Sequence, residues 1–153
     1  MANTYTQLYI QIVFAVRYRR NAIREEYRVP LEKYITGIVT NNKSKLLAIY
    51  CNPDHVHILL GLDPSISISA MARDIKANSS KWMNEERIKR GNFRWQKGFG
   101  AFSYSKSQVD RVIKYILNQP NHHRKKGFRE EYLKMLNKLE IQYAEKYLFD
   151  WYD

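Results

Sequence analysis

The sequence has little of what builds secreted scaffolds, membrane spans or flexible linkers. Its one cysteine, Cys51, excludes an internal disulfide and any cysteine-based zinc cluster, and on a strand before a turn it reads as inert. Six glycines and four prolines in 153 residues form no linker-like tract; they fall at plausible element ends, with no internal repeat or low-complexity segment. No apolar run approaches the ~20 residues that a membrane-spanning helix requires. Residues 1–5 lack the basic start and apolar stretch of a secretory signal. These absences predict one compact domain over residues 1–153, in the cytoplasm and not in a membrane, large enough to hide roughly two-thirds of its unfolded surface.

Acidic residues are also scarce. Fifteen Asp and Glu stand against 26 Lys and Arg, a net charge of +11. Residues 73–111 alone carry ten basic and four acidic side chains. Such a surplus attracts phosphate backbones whatever their sequence, although a merely soluble basic protein would carry it too. Within this stretch Arg73, Lys76, Lys81, Arg94 and Lys97 are the candidate DNA-contacting residues. Trp82, Trp95 and Trp151 read mainly as core, with Trp95 the best stacking candidate because Arg94 and Lys97 flank it.

The apolar pattern predicts a strand over 4–16, with Leu8, Ile10, Ile12, Phe14 and Val16 on one face and Tyr9, Gln11 and Val13 opposite, free to pair with another copy. A helix over 24–42 follows, then a hairpin of strands 46–51 and 55–62 joined by Asn52-Pro53-Asp54. A second helix runs to about Lys89, buried through Ile68, Met71, Ala72, Ile75, Ser79 and Trp82. A loop with Gly91 and Gly98 leads to a short strand at 101–104. Ser107 is expected to cap a third helix with the apolar face Val109, Val112, Ile113, Ile116 and Leu117, ended by Pro120. A last helix over 128–139 and a packed aromatic tail over 143–152 complete the chain. The order β-α-β-β-α-β is the plan of an α+β, ferredoxin-like (RRM-like) antiparallel sheet with helices on one face, a plan that decides no chemistry by itself.

Two local patterns carry chemistry. In His55-Val56-His57, side chains at i and i+2 of a strand project from one face, and two imidazoles so placed make a natural pair of metal ligands. Val56, Ile58, Leu60 and Leu62 take the core face, and a pair of solvent-facing histidines is the bland alternative. In Tyr115-Ile116-Leu117-Asn118-Gln119, Tyr115 and Gln119 stand one turn apart on the flank away from Val109, Val112 and Ile116. A Gln amide oxygen suits Mg²⁺ or Mn²⁺ beside imidazoles, whereas a lone exposed Tyr is ordinarily a rim residue. Together they suggest a divalent cation held by His55, His57 and Gln119 with a phenol nearby. A phenol of pKa ~10 attacks poorly unless the phosphate is polarised for it. No paired carboxylates stand beside either motif apart from Asp54 and Asp110, which argues against a two-metal nuclease and favours covalent transesterification. His122 and His123, within HHRKK, read as a basic backbone-contacting or solvated segment rather than a second metal site.

These motifs, with the opening TYTQLYIQIVFAV, the basic DIKANSSKW and WQKGFGAFSYS, resemble the single-tyrosine HUH transposases of the insertion-sequence-200 type across essentially the whole chain. The resemblance implies His55, His57 and Gln119 as metal ligands and Tyr115 as nucleophile. Attack would leave a 5′-phosphotyrosine and a free 3′-hydroxyl, and a second 3′-hydroxyl would rejoin the strands without ATP. It further implies a homodimer acting on single-stranded DNA hairpins at element ends, at the nucleoid of a prokaryotic cell, with a tyrosine helix able to reach the partner's histidines. The alternatives are a non-catalytic single-strand binder, since ferredoxin-like sheets with surface aromatics bind single strands, and a related HUH enzyme kept by its host to process repeated hairpins.

Overall fold

A computed structural model of the chain describes residues 3–17, 22–88 and 92–152. Four strands, β1 (Tyr9–Ala15), β2 (Lys45–Cys51), β3 (His55–Gly61) and β4 (Gly100–Tyr104), form one antiparallel sheet in the order β2-β3-β1-β4. Helix α1 (Glu25–Asn41) joins β1 to β2, and α2 (Ile68–Trp82) joins β3 to β4. This is the ferredoxin-like order expected from the sequence.

The first strand is shorter than the periodicity suggests. It begins at Tyr9 because its partners stop there: Tyr9 pairs with Gly61 on one side and Tyr104 on the other. Both edges of β1 are thus occupied, and Gln11 and Val13 are buried, which removes the pairing surface expected on Tyr9, Gln11 and Val13. Ile10, Ile12 and Phe14 share a face with Leu60, Ile58 and Val56, and there they meet Leu31 and Ile35 of α1 and Met71 and Ile75 of α2. Alternation explains the pattern, since a strand buried on both faces must be apolar or internally hydrogen-bonded throughout.

Helix α2 starts at the Ser67 cap, whose hydroxyl accepts from the Ala70 amide. Met71, Ala72, Ile75 and Ser79 are buried as expected, while Ile68 and Trp82 are half-buried at the margin. The helix then widens into a six-residue π-turn at Met83–Ile88, and the expected end at Lys89 and the loop glycine Gly91 lie outside the described residues.

The second sheet face is covered as well, so the helices are not confined to one side. Helix α3 (Val109–Leu117) lays Val109, Val112 and Ile116 on Ala48 and Leu59. Its entry is not capped by Ser107. A 3₁₀ turn at Lys106–Gln108 precedes it, boxed by Ser105, whose backbone amide donates to Gln108 Oε1 at 2.9 Å. Leu117 is 58% exposed, because the residue after buried Ile116 is turned some 100° from it. The helix stops at Leu117, before Pro120, and a separate short helix α4 (Gln119–His122) follows.

Helix α5 (Phe128–Lys138) closes the same face through Phe128, Tyr132 and Leu136. It lies so near β4 that a Cβ at Gly100 would collide with Tyr132 Oη, which requires glycine there. The tail packs only in part. Phe149 and Trp151 meet Phe128 and Tyr132, whereas Tyr143 and Tyr147 are exposed. Among the described residues, no helix is long and apolar enough to cross a membrane.

Candidate active site

The hairpin turn builds one side of the site. The Asn52 amide donates to the His55 carbonyl at 2.8 Å, so β3 begins at His55. Pairing with Ala15 and Val13 then aims His55 and His57 at the face that α3, α4 and α5 cover. Both imidazoles are fully buried, not solvent-facing. Their Nδ1 atoms are held from behind: His55 lies 2.6 Å from Asp54 Oδ1, and His57 lies 2.9 Å from Gln11 Nε2. Gln11 in turn accepts from Tyr104 at 2.6 Å. Both Nε2 atoms therefore face the same point.

At that point sits Glu131. Its Oε1 lies 3.2 Å from both His55 Nε2 and His57 Nε2 and 3.1 Å from His123 Nε2. Its Oε2 accepts from Gln119 Nε2 at 2.9 Å and from the Tyr115 hydroxyl. Five polar groups converge on one carboxylate that is 6% exposed. Helix α5 delivers it: Phe128 stacks on the His55 ring at 3.8 Å, and Glu131 follows on the same flank one turn later. Gln119 Oε1 accepts from Asn52 Nδ2 at 2.9 Å, which ties the start of α4 to the hairpin turn.

The structure thus brings His55, His57, Tyr115 and Gln119 together. It differs from expectation in placing the Tyr115–Gln119 pair across a helix break at Asn118, and in burying Gln119 completely. His123 does not belong to a solvated basic segment, because its ring points into the cluster. His122 packs on the Tyr115 ring with centroids 4.6 Å apart. Glu131 carries no motif, and Asn52 reads from sequence only as a turn residue, so neither is legible there as part of the site. The one signal for Glu131 is a carboxylate on an apolar stripe, between Phe128 and Tyr132.

Electrostatics follow from burial and from the convergence. Burial works against the charged form of His57 and prevails, lowering its pKa. It opposes charge on His55 too, but hydrogen bonds to Asp54 and Glu131 outweigh it and raise the pKa. For Glu131, burial is overcome by the charge of His57 and the bonds from His123, His55 and His57, which hold its carboxyl far below the usual range. Tyr115 is raised well above its ordinary value by burial and by the Glu131 charge, so the phenol holds its proton firmly. Donor atoms of His55, His57 and Glu131 all lie within 4.8 Å of one another, a spacing that could hold a metal ion.

Residues 4–119 match the family model described as "Transposase IS200 like". The chain belongs to the IS200-like transposase family. It is 25% identical over 119 residues to the ISDra2 transposase TnpA of Deinococcus radiodurans, covering 74% of this chain and 84% of that one. It is 30% identical over 86 residues to the transposase for insertion sequence element IS200 of Salmonella typhimurium, covering 56% of this chain and 57% of that one. In fold this transposase is similar to a REP-associated tyrosine transposase solved bound to a REP hairpin, with a TM-score of 0.60 and 19% identity over 80% of this chain and 73% of that one.

The residues expected to touch DNA lie on the other sheet face, around α2 and the 93–98 loop. Arg73, Lys81, Arg94 and Lys97 are exposed. Trp95 is not available for stacking, because its ring is enclosed by Phe14 and Phe93 and its Nε1 donates to Ser79 Oγ at 2.9 Å. Lys76 is turned inward, donating to the carbonyls of Gln96 (2.9 Å) and Gly98. Burial lowers its pKa from 10.5 to about 8. Between these values the unfolded chain keeps a proton that the folded chain has released, so this position favours folding more strongly as pH rises. Lys76→Met is expected to flatten the rise of the urea midpoint across that window, and an unchanged slope would contradict the inward ammonium.

Proposed function

We propose that this transposase cuts and rejoins hairpin-bearing single-stranded DNA through a covalent Tyr115 intermediate, with His55, His57 and Gln119 as ligands of Mg²⁺ or Mn²⁺. One observation carries the reading: the Tyr115 hydroxyl and both His Nε2 atoms meet on the same buried carboxylate. The donor set fits a divalent cation, since imidazole nitrogens, an amide oxygen and a carboxylate oxygen suit ions of this kind. Glu131 joins the expected ligands as a fourth. When bound, the cation would polarise the scissile phosphodiester and spread its developing charge.

The side chains divide the remaining work. Asp54 and Gln11 fix the two imidazoles from behind, and Asn52 holds Gln119. Tyr115 approaches its own subunit's His57, with ring centroids 5.8 Å apart, so attack in cis needs no exchange of helices. The Tyr115 oxygen forms a bond to phosphorus while the P–O3′ bond breaks; the phenol gives up its proton, with Glu131 Oε2 within reach of it, and the leaving 3′-oxygen takes one up. The products are a 5′-phosphotyrosine and a free 3′-hydroxyl. One phosphodiester has replaced another, so a second 3′-hydroxyl can reverse the step without ATP.

Hairpin specificity is supported by the structural relative bound to a REP hairpin. Arg73, Lys81, Arg94 and Lys97 remain candidates to hold it. A homodimer would have to form through the open edges of β2 or β4 or through the helices. A non-catalytic binder would leave the convergence on Glu131 without a purpose. The test is incubation with labelled single-stranded DNA carrying the element's ends. A covalent protein–DNA adduct is expected with Mg²⁺ or Mn²⁺ and none in EDTA; full adduct yield in EDTA would sink the metal assignment.

A further inference from the structure

The charge that leads to Tyr115 is not the charge at residues 73–111. A cleft of about 1360 Å³ opens between the 123–127 loop and α5, lined by Arg124, Lys125, Lys126, Lys134 and Lys138, with Asp54 and Glu130 as its acids. A second cavity, of about 440 Å³, is lined by Tyr115, His122 and Glu131 together with Lys125, Lys126, Lys134 and Lys138. The same four lysines border both, so a strip of positive charge runs from the open cleft to the rim of the cavity that holds the phenol. Among the described residues, none of Lys125, Lys126, Lys134 and Lys138 forms an ion pair. The closeness of Lys126, and after it the charge of Lys138, loosens the proton of Lys134. Like charges held this close repel one another, and an entering polyanion relieves that repulsion.

We propose that this cleft carries the phosphodiester backbone of an unpaired DNA strand to Tyr115, an inference that rests on the function proposed above. A single strand suits the geometry better than a duplex. Tyr115 is half-buried with the His122 ring packed on its own, and a flexible strand can thread to it where a stiff double helix cannot.

The test uses the full chain, fluorescein-labelled oligothymidine and fluorescence anisotropy across a salt series. A variant carrying Lys126→Gln, Lys134→Gln and Lys138→Gln is compared with a charge-matched one carrying Lys33→Gln, Lys43→Gln and Lys45→Gln; all six positions are exposed. The cleft variant is expected to bind oligothymidine about tenfold or more weakly at low salt. The magnitude of its log–log salt slope should fall by about two, since each lost single-strand phosphate contact removes ~0.7. The charge-matched variant should keep most of its affinity. Equal losses in the two variants, or an unchanged slope in the cleft variant, would overturn the proposal. So would binding to phosphatidylserine vesicles that falls in the cleft variant while oligothymidine binding does not. The adduct assay separates this inference from the one beneath it. Normal adduct formation by a cleft variant with normal oligothymidine binding rejects the cleft and leaves the nucleophile standing. Wild-type protein that binds through the cleft yet forms no adduct rejects the nucleophile and supports the cleft.

Discussion

Tyr115→Phe is expected to abolish the covalent adduct and strand joining, a loss of at least about a thousandfold, while the protein stays folded. The substitution removes one oxygen. Helix α3 keeps Val109, Val112 and Ile116 on Leu59 and Ala48, so its anchorage is untouched. The lost hydroxyl frees one lobe of Glu131 Oε2, which still accepts from Gln119. The stability cost should therefore be only about 1 kcal/mol. Metal and oligothymidine binding should persist, because the phenol is not among the proposed ligands. Tyr104 is the nearest rival nucleophile, but its hydroxyl is committed to Gln11 on the neighbouring strand. A denaturing gel reads the adduct, and peptide mapping of the wild-type product should find DNA on the Tyr115 peptide. An adduct at the wild-type rate in the Phe variant, or DNA on another peptide, would end the nucleophile assignment.

The strands and first two helices were legible because each buries its apolar side chains at one period. Ile10, Ile12 and Phe14 alternate, Met71, Ala72 and Ile75 recur at helical spacing, and Asn52-Pro53-Asp54 marks the turn between β2 and β3. His55 and His57 were legible for the same reason: spacing alone puts both on one face. What spacing could not give is what covers that face. Once α5 crosses the sheet, Glu131 and His123 reach the histidines from 76 and 68 residues away, a juxtaposition no local pattern encodes. The basic segment after Pro120 divides on the same account: its two histidines fold inward to His55 and Tyr115, while Arg124, Lys125 and Lys126 stay in solvent. Trp95 shows the reverse case: its reading as core holds, because Phe14 and Ser79, distant in sequence, enclose it, and only the stacking role suggested by its flanking cations falls away.

Glu131 carries the other large expectation, and its sign is informative. A carboxylate amid five polar groups either takes part in holding the cation or sits where the substrate's phosphate should be. The chemistry favours a ligand. His55, His57 and Gln119 alone are neutral donors when deprotonated, and neutral sets hold Mg²⁺ or Mn²⁺ weakly, whereas one carboxylate supplies both charge and a hard oxygen. The structure has already gathered the donor atoms of His55, His57 and Glu131 within 4.8 Å of one another. Glu131→Gln keeps the shape of the side chain and removes its charge. It is expected to weaken Mn²⁺ binding by about ten- to a hundredfold in calorimetry. The rise in melting temperature that saturating Mn²⁺ gives the wild type should shrink accordingly, since ligand stabilisation scales with the logarithm of affinity. Glu131→Ala should do the same, and it should also cost about 3–5 kcal/mol in the metal-free protein, because a buried set of imidazoles loses its counter-charge. If Glu131 instead held the place of the phosphate, the cation would have to displace it, and either substitution would tighten Mn²⁺ binding. Weaker binding in both variants makes Glu131 a ligand that α5 carries over the sheet; tighter binding makes α5 an obstacle that the substrate must move.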